Sequence, residues 1–157
     1  GKSSLCLALA NHFNRDIYFL NLNDLEKDSD LFTSFSNLRN NSILVIEDID
    51  AIKTKISFSA LLNCIDGAFS KHGLIIIMTT NHPEKIDRAL IREGRIDMKI
   101  KIDNPTVEMV EEYLSLFYDR KVKLKDYKSS MSMSKIQEIC LLNKDNLQAT
   151  KDRLSRR

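Results

Sequence analysis

The sequence has few cysteines, and none of them are arranged as in a disulfide or zinc framework. Cys6, Cys64 and Cys140 are an odd number, lie far apart and lack C-x-x-C spacing. Each lies among apolar residues. We therefore expect three buried free thiols in a reducing intracellular compartment.

Long hydrophobic runs are also absent. The apolar runs at 43–46 and 74–78 have the length of a strand and are too short for a membrane-spanning helix. A chain of 157 residues with 43% hydrophobic and 29% charged residues is typical of a globular domain with one main core and a small second one. The sequence contains no internal repeat and no low-complexity tract.

A strong excess of positive charge is the third feature that is missing. The formal net charge is +2, which argues against a nucleic-acid partner. Basic residues do gather at 121–125 and 153–157, but no aromatic residues alternate with them to stack on bases. A solvated face is the favoured interpretation of both groups.

The most informative segment that is present is an apolar run ending in carboxylates. Ile43 to Ile46 are four consecutive aliphatic residues, which predicts a strand buried on both faces, as in a parallel sheet. Glu47, Asp48 and Asp50 follow at its carboxyl end, where open α/β sheets bind ligands. Carboxylates there can hold Mg²⁺ and orient a water molecule. A solvated acidic turn is the structural alternative.

The first residues, Gly1-Lys2-Ser3-Ser4, match the end of the phosphate-loop pattern G-x-x-x-x-G-K-[ST]. Together with the acidic strand, they predict a nucleoside triphosphatase that uses Mg²⁺. A phosphate loop joins a strand to a helix, so we expect the preceding strand and glycines to lie upstream of Gly1. The isolated 157-residue chain should then bind ATP poorly, and the sequence cannot show whether a leader or membrane anchor exists.

Helical and strand patterns alternate over the first two thirds of the chain. Helical periodicity predicts helices at 3–13, 30–38 and 57–66, the last capped by Gly67. Apolar runs predict strands at 17–20, 43–46, 74–79 and, at the sheet edge, 98–102. This alternation is typical of a parallel α/β sheet with helices on both faces.

After Pro105 the pattern is helical only, with predicted helices at 107–117, 134–142 and 146–154. We therefore expect two domains. Residues 1–104 form an α/β core that lacks its first strand, and residues 105–157 form a small helical subdomain.

Two further segments place polar side chains where nucleotide hydrolysis needs them. The strand ending in Met78-Thr79-Thr80-Asn81 presents an amide that can hold an attacking water or a phosphate oxygen. A turn before His82-Pro83 is the alternative for Asn81. Residues 87–97 then place Arg92 and Arg95 beside a glycine turn, and solvated surface charge is the alternative for them.

Together these segments resemble the AAA family of ATPases. The last of them reads Asp-x-Ala-Leu-x-Arg-x-Gly-Arg-x-Asp over 87–97. Within the family, the chain is most similar to the mitochondrial respiratory complex III assembly chaperones, which translocate the folded Rieske iron-sulfur protein. The order Glu47-Asp48, the helix at 57–67 and the segment at 133–140, similar to the lid helix of that subfamily, carry this narrower likeness.

The resemblance implies a role for each residue of the nucleotide site. It assigns Lys2 to the γ-phosphate, with Gly1 and Ser4 in the same loop, and it assigns Ser3 and Glu47 to Mg²⁺. Asp48 corresponds to the base that polarises the attacking water. Most AAA proteins have Asp-Glu here, so the roles of Glu47 and Asp48 remain open to exchange.

The resemblance also implies that Asn81 is the first sensor and that Arg92 and Arg95 are arginine fingers reaching into the neighbouring subunit. Catalysis would then require a homo-oligomeric ring. Two features depart from the family pattern. Residues 21–30 lack the aromatic pore loop of many unfoldases, which suits folded cargo, and Asn143-Lys144-Asp145 replaces the arginine of the second sensor.

The function implied is ATP hydrolysis coupled to translocation or remodelling of protein cargo. The implied location is the mitochondrial inner membrane, reached through segments outside this sequence. Two alternatives stay open: a nucleotide-bound scaffold that no longer hydrolyses, and a DNA-acting AAA+ ATPase such as a clamp loader.

Overall fold

A computed structural model of the chain describes residues 1–51, 55–69, 71–92, 94–125, 127 and 131–155. They form two compact units, an α/β unit over Lys2–Ile100 and a helical unit over Lys101–Arg157. This division lies close to the predicted domain boundary at 104/105, which remains a prediction. Among the described residues, no helix has the length and apolar character needed to cross a membrane.

Three parallel strands form the sheet of the α/β unit: β1 (Ile17–Leu20), β2 (Ile43–Ile46) and β3 (Ile75–Met78), in the order β1-β2-β3. The middle strand, β2, is buried along its whole length, as its aliphatic sequence predicts. Because all strands run in one direction, the residues that follow Leu20, Ile46 and Met78 emerge at the same edge of the sheet. This edge carries the candidate site.

The helices of the α/β unit are α1 (Lys2–Phe13), α2 (Asp28–Ser36) and α3 (Phe58–Asn63), with short helical turns at Leu22–Asp24, Cys64–Ala68 and Pro83–Lys85. Side chains of β2 alternate between two faces. Ile43 and Val45 pack in one apolar cluster with Cys6 and Ala10 of α1. Leu44 and Ile46 pack in the other, with Leu31 and Phe35 of α2, Leu61 of α3 and Cys64 of the turn that follows α3. The prediction of a parallel α/β sheet with helices on both faces is confirmed.

Local hydrogen bonds decide where α2 and α3 begin. The carboxylate of Asp30 accepts bonds from the backbone N–H groups of Glu26 and Lys27, at 3.1 and 3.2 Å, so α2 starts two residues earlier than predicted. The Ser57 hydroxyl oxygen accepts a bond from the N–H of Ala60 and caps α3. Gly67 has φ +100° in the turn that follows α3, a conformation that glycine adopts without strain.

The fourth strand predicted at 98–102 was wrong. Residues 98–102 have no regular secondary structure, and the described residues contain no strand beyond β1, β2 and β3. The apolar side chains of Met98, Ile100 and Ile102 are 73%, 66% and 48% exposed. Their alternation is that of a strand, but a strand forms only where a neighbour accepts its backbone hydrogen bonds.

The helical unit contains α4 (Val107–Phe117), α5 (Met133–Leu142) and α6 (Leu147–Ser155), within one residue of the predicted bounds. Its apolar cluster is formed by Val110, Leu114, Val122, Ile136, Ile139, Cys140 and Leu154. The Tyr118 hydroxyl lies 2.6 Å from the Thr150 hydroxyl and donates to the carbonyl of Asn143 at 2.9 Å. These bonds join the end of α4 to α6 and to the turn before it.

Each of the three apolar clusters contains one cysteine: Cys6 on the α1 side of the sheet, Cys64 on the α2 and α3 side, and Cys140 in the helical unit. All three are buried free thiols, as predicted. Burial raises the pKa of Cys6, and it raises the pKa values of Cys64 and Cys140 to about 11.

Candidate functional site

The candidate site lies where the strands end and α1 begins. Lys2 and Ser3 are in the first turn of α1, and Glu47 and Asp48 directly follow β2. The Ser3 hydroxyl donates a hydrogen bond to Oε1 of Glu47. The phosphate-loop hydroxyl and the first strand-end carboxylate are therefore in direct contact.

Asn81 connects the phosphate-loop lysine to the second carboxylate. Its side-chain oxygen, Oδ1, accepts a hydrogen bond from Nζ of Lys2. Its amide nitrogen, Nδ2, donates to Oδ1 of Asp48 at 3.2 Å. An amide is suited to this place because it presents an acceptor to a cation and a donor to a carboxylate at once.

Asp48 has an unusual backbone conformation, with φ +47° in the left-handed region. Aspartate tolerates this region better than most residues, and such conformations gather at functional sites. Two hydrogen bonds to Thr79 hold it: the N–H of Asp48 donates to Oγ1 at 3.2 Å, and the N–H of Ile49 donates to the carbonyl at 3.0 Å. The acidic loop is thereby fixed to the end of β3.

Asp50 is a residue of the site whose role the sequence did not indicate. Its Oδ1 accepts a hydrogen bond from the Thr80 hydroxyl at 2.5 Å and one from the N–H of Asn81 at 3.2 Å. These contacts, the Thr80 bond above all, lower the pKa of Asp50. Asp50 therefore fixes the backbone that carries the Asn81 amide. The only sequence signal was that Asp50 is a third carboxylate in the acidic segment after β2.

The remaining predicted site residues lie outside this network. Gly1 and Ser4 are exposed, and the Ser4 hydroxyl has no hydrogen bond to another described residue. Arg92 is exposed. Arg95 is bound to Asp66 by two hydrogen bonds of 2.6 and 2.7 Å, and neither arginine contacts the acids after β2 within this chain.

A cleft of about 370 Å³ opens beside the acids, on the side of β1. It is lined by Phe19, Leu20, Asn21, Asn23, Val45, Glu47, Asp48 and Ala51. Carboxylate and amide groups thus form one wall of a space large enough for a polar side chain or part of a small ligand.

The residues present fit a magnesium nucleotide. Mg²⁺ prefers hard oxygen ligands and is usually held by one or two protein groups together with substrate phosphates and waters. Ser3 Oγ and Glu47 Oε1 are two such oxygens in contact, while Lys2 offers a cation for phosphate. Within the described part of the chain, no group of three or more His, Cys, Asp or Glu residues forms a metal cage.

Residues 1–104 match the family described as the ATPase family associated with various cellular activities (AAA). The chain belongs to the AAA family. The fold agrees: a RuvB variant from Thermotoga maritima superposes with a TM-score of 0.67 at 16% identity, covering 97% of this chain and 57% of that one. This likeness concerns the fold alone.

Curated relatives of this AAA chain include mitochondrial chaperones. The probable mitochondrial chaperone bcs1 of Schizosaccharomyces pombe is 34% identical over 165 residues, which cover 93% of this chain and 37% of that protein. The probable mitochondrial chaperone BCS1-A of Dictyostelium discoideum is 39% identical over 76% of this chain and 32% of its own length. The AAA chain therefore spans about a third of the length of these relatives.

Proposed function

We propose that this chain is the ATP-hydrolysing core of a homo-oligomeric AAA ring that translocates or remodels protein cargo. The observation that carries the proposal is the meeting of Lys2, Ser3, Glu47, Asp48 and Asn81 at one edge of the sheet. Three separate segments supply these groups, and direct hydrogen bonds join them. Phosphoryl transfer depends mainly on such positioning and on the stabilisation of charge.

Each group has a role in cleaving ATP to ADP and phosphate. Lys2 binds the γ-phosphate, in place of its contact with Asn81. Ser3 and Glu47 hold Mg²⁺, which when bound neutralises charge on the phosphate oxygens. Asp48 accepts the proton of the attacking water, and Asn81, which already contacts the Asp48 carboxylate, holds that water in place.

The proposed cargo and location are supported by the relatives and by one sequence feature. The two relatives above are named as probable mitochondrial chaperones, which supports protein cargo and a mitochondrial location. The segment at 21–30 contains no aromatic residue to grip an unfolded chain, which favours folded cargo. We further propose that the full-length protein is held at the inner membrane by segments outside this sequence.

The test is a pair of isosteric substitutions in the full-length protein. Asp48→Asn should keep ATP binding and lower kcat by roughly 10²–10⁴-fold, because a general base acts in the transition state. Glu47→Gln should weaken Mg²⁺-dependent nucleotide binding as well. Steady-state hydrolysis and calorimetric titration with ATP, with and without Mg²⁺, measure both effects.

Glu112→Gln, which changes an exposed acid of the helical unit, serves as the control and should leave both readouts unchanged. If Asp48→Asn lost binding while Glu47→Gln bound normally and was inert, the two carboxylates would have exchanged roles. Tight ATP binding by wild-type rings without turnover would favour the scaffold. Binding of DNA that weakens steeply with salt would favour the DNA-acting ATPase.

A further inference from the structure

Arg95 makes a set of contacts that a free arginine finger would not make. Its Nε and Nη2 atoms donate to the two carboxylate oxygens of Asp66 at 2.6 and 2.7 Å, and its Nη1 atom donates to the carbonyl of Ala89 at 2.7 Å. Only 19% of its side chain is exposed. A bidentate pair of this kind is both strong and specific in orientation.

These bonds attach one loop to a fixed part of the α/β unit. Asp66 lies in the turn after α3, two residues after Cys64, which is buried in the apolar cluster on that side of the sheet. At the other end, Arg95 holds the carbonyl of Ala89, so its guanidinium closes the loop between residues 89 and 95. Buried Leu90 provides a second attachment for this loop.

Backbone bonds give the loop a defined shape. The N–H of Leu90 donates to the carbonyl of Asp87 at 3.0 Å, and the N–H of Arg95 donates to the carbonyl of Arg92 at 3.2 Å. Gly94 has φ +87°, which lets the chain turn back between the two arginines. Arg92 therefore lies in a segment whose ends, Ala89 and Arg95, are joined by the guanidinium of Arg95.

Arg92 differs from Arg95 in its surroundings. It is exposed, and its side chain has no hydrogen bond to another described residue. The hydrogen bonds from Arg95 lower the pKa of Asp66, and the positive charges of Arg95 and Arg92 add to this effect. The Asp66 carboxylate is thus ionised at neutral pH and is committed to Arg95.

We propose that the Asp66–Arg95 pair is a brace that positions Arg92, and that Arg92 alone is offered to the nucleotide site of a neighbouring subunit. The proposal rests on the ring ATPase proposed above, and it gives its two arginines different roles. To reach across a subunit boundary, Arg95 would have to give up three short hydrogen bonds and leave the Asp66 carboxylate unpaired. Arg92 gives up no hydrogen bond to another described residue.

The decisive variant is Asp66→Asn in the full-length protein, because the two roles of Arg95 predict opposite results. If the pair is a brace, loss of the carboxylate should lower kcat about 10²-fold, the order expected when a reacting group is misplaced by about 1 Å. If Arg95 is itself a finger, removing Asp66 would release it, and kcat would stay the same or rise. ADP affinity should be unchanged in either case.

Charge reversal is the second arm and separates a brace from general damage to the fold. The double variant Asp66→Arg, Arg95→Asp should recover at least about tenfold of the kcat lost in Arg95→Asp alone, since it restores the pair with the partners exchanged. A finger at position 95 could not be restored in this way. Arg88→Ala, an exposed arginine in the same segment, is the control and should keep wild-type kcat.

A third experiment, limited proteolysis, does not depend on hydrolysis. It therefore tests the brace separately from the proposed function. In Asp66→Asn, limited trypsin digestion should cut after Arg92 and Arg95 faster, while cleavage after exposed Arg120 stays the same. An unchanged digestion pattern together with wild-type kcat in Asp66→Asn would overturn the brace. If wild-type rings do not hydrolyse ATP, the proposed function fails, and the digestion result decides whether the brace exists.

Discussion

At the scale of single residues, the site is held by groups that need not touch the nucleotide. Thr79 accepts a hydrogen bond from the N–H of Asp48 and so holds the left-handed backbone of Asp48. Asp50 accepts hydrogen bonds from the Thr80 hydroxyl and from the N–H of Asn81. The two strand ends thereby become one unit. The positions of the Asp48 carboxylate and the Asn81 amide depend on these contacts.

Removal of the Thr80 hydroxyl tests this dependence. Thr80→Val keeps the shape of the side chain and deletes the donor to Asp50, so Asn81 should lose its fixed orientation, and kcat should fall by roughly ten- to a hundredfold. KM for ATP should change little, because neither group binds the adenosine. Thr80→Ser keeps the hydroxyl and should retain most of the activity. Wild-type turnover by Thr80→Val would show that the orientation of Asn81 does not depend on the hydrogen bond from Thr80 to Asp50.

Sequence patterns could indicate five residues of the site. Lys2 and Ser3 belong to the phosphate-loop pattern, and each of the other three comes after an apolar run: Glu47, Asp48 and Asn81. Their proximity follows from the parallel sheet, whose strand ends meet at one edge. The Asp66–Arg95 pair could not be found in this way. Its two partners are 29 residues apart, and neither residue differs in type or spacing from a solvated surface charge.

At the scale of elements, apolar runs predicted the three strands that pair with a neighbour and failed for the segment that does not. The strand β2 is recognisable because both of its faces are buried. The segment at 98–102 has the alternation of a strand but lies exposed without a partner. Periodicity describes the faces of a segment and carries no information about its neighbours.

In the helical unit, Glu111 of α4 holds the segment that leads away from this helix. Its carboxylate accepts a hydrogen bond from Nζ of Lys123 at 2.5 Å and one from the N–H of Leu124 at 2.8 Å. The bond from Lys123, followed by that from Leu124, lowers the pKa of Glu111. The folded state therefore favours the ionised form of this carboxyl group.

This arrangement predicts a pH-dependent contribution to stability. Because the pKa of Glu111 is lower in the folded than in the unfolded state, its contribution is complete above the unfolded value of about 4.3 and is lost as pH falls through the folded value. Glu111→Gln should therefore lower the urea midpoint of the helical unit at pH 7, and the difference from wild type should shrink in acid. Exposed Glu112→Gln is the control. A difference independent of pH would contradict the assignment.

At the scale of the whole molecule, the exposed Arg92 predicts an enzyme that is complete only between subunits. Arg92→Ala rings should lose about 10³-fold or more in turnover, and Lys2→Ala rings should also be nearly inactive. Mixing the two proteins should restore part of the activity, since a Lys2→Ala subunit can offer its Arg92 to an intact phosphate loop next to it. Hydrolysis rates of co-assembled rings measure this.

The matched control for mixing is the double variant Lys2→Ala, Arg92→Ala, which has no arginine to offer at this position. It should restore nothing when added to Arg92→Ala. Recovery with this partner, or wild-type turnover that is unchanged on dilution to monomers, would show that Arg92 does not act across a subunit boundary.

The distribution of the thiols has a practical consequence for this molecule. Each apolar cluster holds one buried cysteine with a raised pKa, so a thiol reagent reaches it only after that cluster opens. The chain thus contains three native probes of local opening, one on each face of the sheet and one in the helical unit. The labelling rates of Cys6, Cys64 and Cys140, followed by mass spectrometry, would report in what order these regions loosen, with no engineered probe.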